Sequence, residues 1–316
     1  MSSPHPIYTE AQLEKYLQRI NHPSHNHGSS LEEVREKIQT DALGTLAELQ
    51  RLHLAAIPWG NSGLHYSNHH TISLDPEMIF QKMVERRLDG YCMETTGLLF
   101  NVLLCLGYRV YATGGRVSRA VATGVDDGQF KSFGHMVLIV AIGDLKYMVD
   151  VGFGANCATA PLPLQDGATA TRIAPSDMRL VRQSLTASFD KEQKVWVYQS
   201  RHNPESNWLP CICFSEVEFL PQDFELMNFG TSQQRTSWFT QTFVCTRMIL
   251  DPSGQEVIGQ DVMVGKQIKR RIHSNTEILE ELQNEEDRVR ALALHFDMHL
   301  RQEEILGIRG LSSELK

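Results

Sequence analysis

The sequence predicts an α+β protein whose helical and sheet parts are segregated along the chain. Three observations predict it. Up to Gly107, apolar residues recur at helical spacing. From Tyr108 onward, short apolar or alternating runs punctuated by Gly, Asp and Pro read as strands. The C-terminal stretch mixes the two patterns. Helices followed by strands, rather than the two in alternation, argue against a doubly wound parallel sheet.

Leu13, Tyr16, Leu17 and Ile20 space a helix over Thr9–Ile20, opened by a Thr9/Gln12 capping box. Asn21 to Ser29 is polar, with His22, His25 and His27, and reads as a loop; no ligand spacing or carboxylate partner makes it a metal site. Ser30 with Glu33 begins a helix whose face of Leu31, Val34, Ile38, Leu43, Leu46 and Leu49 runs to about Leu54, and Pro58 ends it. Trp59 to Thr71, carrying His65, His69 and His70, reads as a solvated loop. Asp75-Pro76 is an N-cap with proline at the first helical position. Ile79, Phe80, Met83 and Val84 form the buried face, which stops at Asp89-Gly90. The next helix starts at Cys92, buries Leu99, Phe100, Leu103 and Leu104, and is closed by Gly107.

Tyr108–Thr113, His135–Ile142 and Lys146–Val151 then read as strands, the last two joined by the tight turn Gly143-Asp144, and Val195–Tyr198 is another. Gly114 to Gly134 reads as a long loop, of a length that in a compact enzyme is often functional. Ala155 to Asp177 reads as a Pro/Ala/Gly-rich connection, and Phe214 to Phe229 is mixed. Gln241–Leu250 and Glu256–Gln267 make a hairpin about Asp251-Pro252-Ser253-Gly254. Ile278, Leu279, Leu282, Val289, Leu292 and Leu294 predict a helix or helix pair from Asn275 to about Leu300.

Composition narrows the function classes. With 316 residues, 41% hydrophobic and 22% charged, the chain is long enough for two or three subdomains of ordinary globular character. A net charge of −8 without a basic block argues against a nucleic-acid binder. No apolar run reaches the length of a membrane span, and Met1 to Pro6 lacks the apolar core of a signal peptide. Six cysteines (Cys92, Cys105, Cys157, Cys211, Cys213 and Cys245) are scattered without a disulfide framework, so reduced thiols and a cytoplasmic location are expected. Cys211 and Cys213 are not read as a metal or redox pair, because alternate residues on a strand face opposite ways.

The chemistry gathers at Cys92. It follows the Asp89-Gly90 turn and opens a helix, where unpaired N–H groups and the helix dipole favour a thiolate. His135 starts the first strand of a predicted hairpin and Asp150 ends the second, so antiparallel pairing brings them together. Cysteine, histidine and aspartate at the ends of regular elements is the layout of a nucleophile, base and orienter. Cys105, Cys157 and Cys245 read as structural.

Three segments carry a resemblance: Leu88-Asp89-Gly90-Tyr91-Cys92, His135-Met136-Val137-Leu138 and Asp150-Val151-Gly152-Phe153-Gly154. They resemble the Arg-Gly-Gly-aromatic-Cys, His-hydrophobic-X-Leu and Asp-X-Gly-Phe-Gly patterns of the arylamine N-acetyltransferases, and the chain resembles fungal members. Leu17-Gln18-Arg19-Ile20, Ile57-Pro58-Trp59-Gly60-Asn61, Gly115-Arg116-Val117, and Asp223-Phe224 with Asn228 and Phe239 extend the resemblance in order over most of the chain. Three positions depart from it. Leu88 and Asp89 stand where the family has Arg and Gly, and Gly60 stands where it has Glu, as in a paired replacement. Arg87, one position away, is the expected substitute for the missing arginine.

The resemblance implies a cysteine-protease-like N-acetyltransferase fold. It has a helical bundle (1–107) carrying Cys92, a β-barrel (108–222) carrying His135 and Asp150, and an α/β lid (223–316). It also implies ping-pong acyl transfer: acyl-coenzyme A, acetyl or malonyl, serves as co-substrate with no permanently bound cofactor and no metal. An aromatic amine or hydrazine is the acceptor, and the setting is xenobiotic detoxification. Tyr91, Phe133 and Phe153 are the expected walls for the amine. Arg116, Arg119 and Gly134 are expected toward coenzyme A, Arg116 as the partner of a malonyl carboxylate. The alternatives are a thiol hydrolase or transglutaminase-like enzyme with the same residue order, and a non-catalytic binder of aromatics or coenzyme A on the same fold.

Overall fold

The computed structural model describes residues 7–24 and 30–316, so His25 and His27 lie outside the described residues. Helix α1 (Glu10–Arg19) starts at the expected capping box: the Thr9 hydroxyl accepts the Gln12 N–H at 3.3 Å, and Gln12 Oε1 accepts the Thr9 N–H at 3.0 Å. The long second apolar run is two helices, α2 (Ser30–Thr40) and α3 (Ala42–Ala56). Asp41 divides them, because its carboxylate accepts the Gly44 N–H at 2.9 Å and caps α3.

Past Pro58 come a two-residue strand, β1 (Trp59–Gly60), and a single turn, α4 (Ser62–His65). The expected solvated loop is therefore partly interior. His65 is buried, its Nδ1 2.7 Å from Ser313 Oγ and its Nε2 2.9 Å from the Phe239 carbonyl, whereas His69 is exposed. Helix α5 (Pro76–Phe80) begins at Asp75 as expected and runs on through a π-helical turn, Gln81–Glu85. Helix α6 (Cys92–Cys105) follows, and Gly107, at φ +90°, closes it as expected. The N–H groups of Gly107 and Tyr108 bond the Leu104 and Leu103 carbonyls at 3.0 Å each. Phe100 and Leu104 are only half-buried; Leu98 and Val102 complete the inner face instead.

An antiparallel sheet of eight strands comes next. The first three are β2 (Arg109–Ser118), β3 (Phe130–Ile142) and β4 (Leu145–Val149), with the helical turn α7 (Ala120–Thr123) between β2 and β3. Then come β5 (Leu162–Pro163), β6 (Thr169–Ile173), β7 (Ser176–Gln183), β8 (Val195–Arg201) and β9 (Leu209–Phe214). Their order is β5-β4-β3-β2-β9-β8-β7-β6, and β5 packs back against β7, which curls the sheet into a nearly closed barrel. Val137, Ile139, Met178, Leu180, Tyr198 and Ile212 fill it.

Helices α8 (Pro221–Ser232) and α9 (Trp238–Gln241) lead to a second sheet made of β10 (Val244–Leu250), β11 (Val257–Val264), β12 (Gln267–Ile272) and β13 (Asn275–Glu281). β1 pairs with β10 at its edge, and α10 (Glu285–Phe296) and α11 (Gln302–Leu306) end the chain. Among the described residues no helix is long and apolar enough to cross a membrane.

Two expectations are corrected. Gly114 to Gly134 is not a long loop: β2 and β3 extend far into it, leaving only the short connection around α7. His135 therefore lies inside β3 rather than at its start. Asn275–Glu281 is a strand rather than helix, because β12 offers an open edge; Glu277 there stands opposite Arg270, and the charged outer strand is an ordinary way to finish a sheet.

Candidate active site

Two devices aim the side chains. The first is a β-bulge. Gly115 pairs with His135 and Arg116 with Phe133, so Gly134 is the extra residue of β3. The bulge turns the Gly134 carbonyl toward Cys92, whose Sγ lies 3.5 Å away and donates to it. The second is the Asp150-Val151-Gly152-Phe153-Gly154 turn, which packs against the first turn of α6. A Cβ on Gly152 would lie 2.7 Å from Cys92 Cα and 2.8 Å from the Cys92 carbonyl. Gly152→Ala is expected to destabilise the protein by about 1–3 kcal/mol through overpacking against backbone. Urea unfolding checks it, with slower alkylation of Cys92 alongside.

These devices bring Cys92, His135 and Asp150 together, all buried. His135 Nε2 is 2.7 Å from Asp150 Oδ2. The other carboxylate oxygen accepts the Gly152 N–H at 2.7 Å, and Gln50 Nε2 holds the Asp150 carbonyl at 3.0 Å. Burial alone would hold the imidazole neutral; the charge and hydrogen bond of Asp150, joined by a hydrogen bond with Cys92, raise His135 instead to about 10. Cys157 donates to the Asp150 carbonyl at 3.2 Å and stays a thiol, pushed up by burial and then by Asp150.

The residues expected around the triad divide. Tyr91 is fully buried, donates its hydroxyl to Asn228 Oδ1, and meets the Phe239 ring edge-on at 5.9 Å. Phe153 lies edge-on to His135 at 5.1 Å. Phe133 sits beyond the bulge, 39% exposed, against Phe219 and beneath the Arg116 guanidinium at 3.9 Å. Arg119 is farther out on the same hairpin, 3.4 Å from Asp127, so its charge is already partnered. Arg87 does not stand in for an arginine at position 88. Its φ of +55° turns it outward, where it pairs with Asp297 at 2.5 Å, while Leu88 is buried against the C-terminal cluster. Among the described residues no group of His, Cys, Asp and Glu is arranged to hold a metal.

Sequence reasoning missed Gln50, Glu94 and Lys82, whose ammonium pairs with Glu94 at 2.7 Å. Glu94 had a signal: a Glu three residues after the N-cap Tyr91 is placed to accept the Tyr91 N–H, and does so at 3.0 Å. The others act across the fold and leave no local pattern.

A model of the N-acetyltransferase family matches residues 42–305. The chain belongs to the arylamine N-acetyltransferase family. Among its relatives, an N-malonyltransferase (FDB2) of Gibberella moniliformis is 34% identical over 313 residues, covering 94% of this chain and 91% of that protein. Arylamine N-acetyltransferase 2 of Macaca mulatta is 27% identical, covering 85% and 87%. The solved Mycobacterium marinum arylamine N-acetyltransferase in complex with CoA superposes with a TM-score of 0.74 at 27% identity, covering 94% and 97%. The α+β N-acetyltransferase fold expected from the resemblance is therefore the fold of this chain, and the protein is an acyltransferase.

Proposed function

We propose that this N-acetyltransferase relative moves an acyl group from acyl-coenzyme A to the nitrogen of an aromatic amine or hydrazine through a thioester on Cys92, with malonyl-coenzyme A as the favoured donor. The observation that carries the reading is Cys92 at the first position of α6, against a buried His135–Asp150 pair. The malonyl preference rests on relatives named N-malonyltransferase at 34% and 35% identity over most of both chains.

Before the first half-reaction the proton shared by the pair resides on His135, leaving the thiolate on Cys92, and Asp150 stabilises the imidazolium. The thiolate attacks the thioester carbonyl. The tetrahedral intermediate collapses, and coenzyme A leaves with the proton from His135. In the second, the amine nitrogen attacks the Cys92 thioester, His135 accepts a nitrogen proton, and the Cys92 thiolate departs as the amide forms. The Cys92 N–H, at a position with no intrahelical acceptor, is placed to donate to the oxyanion. Segment 1–107 would thus supply the nucleophile, 108–222 the base and orienter, and 223–316 the cover, with Asn228 already bonded to Tyr91. Detoxification of aromatic amines in a reducing, cytoplasmic setting suits six cysteines that are all free.

Coenzyme A release with acetyl- and malonyl-coenzyme A against a small arylamine panel tests the reading. Release should be proportional to added amine and faster with malonyl-coenzyme A; release without amine would indicate a hydrolase. Arg116, half-exposed over Phe133, is the proposed partner of the malonyl carboxylate. Arg116→Ala should cut malonyl transfer at least about tenfold more than acetyl transfer; equal losses with both donors would remove Arg116 from donor choice.

A further inference from the structure

A second set of interior charges sits beneath the turn that delivers Cys92. Lys82, on the π-helical turn, sends Nζ inward to Glu94 Oε1 at 2.7 Å, and Glu94 Oε2 holds the Tyr91 N–H at 3.0 Å. Asp89 is fully buried; it accepts the Ser62 N–H at 3.1 Å and also the Ser62 hydroxyl. Lys82 Nζ lies beside Gly63, next to that same serine. Burial pushes the Asp89 and Glu94 carboxyls up, and the Lys82 charge is the largest effect opposing it in both.

Position 60 explains how Asp89 fits. A Cβ on Gly60 would collide with Asp89 Oδ2 and lie 2.8 Å from the Val244 carbonyl. A carboxylate at 89 and a side chain at 60 therefore compete for one space. Segment 58–62 is itself held on both sides: the Gly60 N–H bonds the Gly90 carbonyl at 3.0 Å, and Asn61 Oδ1 accepts the Val244 N–H at 2.9 Å. The family pattern places the carboxylate at 60 and glycine at 89; in this chain the two are exchanged.

We propose that Lys82, Glu94 and Asp89 are the positioning unit of the Cys92 nucleophile, and that Gly60 is the vacancy that admits the Asp89 carboxylate. Two unpaired carboxylates under the start of α6 would oppose a thiolate at Cys92 and would be costly to bury. The Lys82 ammonium pairs with Glu94 at 2.7 Å, and its charge also lowers the cost of burying Asp89 from farther away. Through Glu94 it fixes the N-terminal turn of α6. Asp89, its charge made less costly by that ammonium, ties the 88–90 turn to Ser62, next to the Asn61 that bonds β10.

This inference rests on Cys92 being the nucleophile, so the test reads Cys92 directly. The rate of iodoacetamide alkylation at Cys92 is measured against pH by peptide mass, with thermal melts as the folding control. Lys82→Met is expected to slow alkylation at pH 7 at least about tenfold, with Lys82→Arg within about threefold of the unaltered protein. Gly60→Glu alone and Asp89→Gly alone should each slow it about tenfold, while the two together recover at least about threefold over the worse single, the contact with the Val244 carbonyl remaining. A Lys82→Met protein that folds and reacts like the parent overturns the proposal, as does a double variant no better than the worse single. If Lys82→Met does not fold, the Gly60/Asp89 comparison, which keeps Lys82, decides alone. A Cys92 unreactive in the unaltered protein overturns the nucleophile reading and this inference with it.

Discussion

Cys92→Ala abolishes coenzyme A release, a loss of at least about 10⁴-fold, because without the sulfur no acyl-enzyme forms and only binding energy remains. The substitution leaves the fold intact. Cys92 Sγ meets the Gly134 carbonyl, at long range, and His135, which Asp150 holds in place without it, and alanine suits the first turn of a helix. The measurement is amine-dependent release with malonyl-coenzyme A alongside a thermal melt. A variant that melts like the parent and still turns over would end the thioester mechanism and leave direct transfer to the amine.

Asp150→Asn is expected to cost about 10³–10⁴-fold in turnover, as an amide in place of the carboxylate holds the imidazole in the wrong tautomer and gives its charge no partner. The pH dependence is the sharper signature. In the unaltered protein His135 holds its proton up to about 10, above the ordinary 6.5. Its contribution to stability is thus full below pH 6.5 and is lost as pH rises toward 10. Without the carboxylate, burial is the dominant influence and pushes His135 below 6.5. The sign reverses: the variant gains stability as pH rises through the acid range. Urea unfolding from pH 5 to 10 reads both slopes. Alkylation of Cys92 should likewise be slower in the variant across this range. Parallel profiles in the two proteins would remove Asp150 from the role of orienter.

The reacting residues were legible because their signals are local. Cys92 follows a glycine turn, and a two-residue turn makes His135 and Asp150 neighbours whatever surrounds them. Caps at Thr9, Asp75 and Gly107 were readable for the same reason. Elements decided by distant partners were not. Asn275–Glu281 has helix-like apolar spacing, but an unpaired β12 edge captures it. His65 looks like a loop histidine until Ser313 and Phe239 enclose it. The exchange at 60 and 89 was visible as two departures from a pattern. That they fill one space required the fold, because the residues stand well apart in sequence and meet only through the 58–60 and 88–90 segments.

That meeting has a consequence for the order in which the protein becomes competent. Every side chain of the proposed triad has been synthesised once residue 150 is made. The segment that seats Asp89, however, is closed on its far side by β10, through the pairing of Trp59 and Gly60 with Thr246 and Cys245. A nascent chain is thus chemically complete long before it is mechanically complete. Fragments ending before Val244 would carry Cys92, His135 and Asp150 yet lack the edge against which the nucleophile's turn is braced.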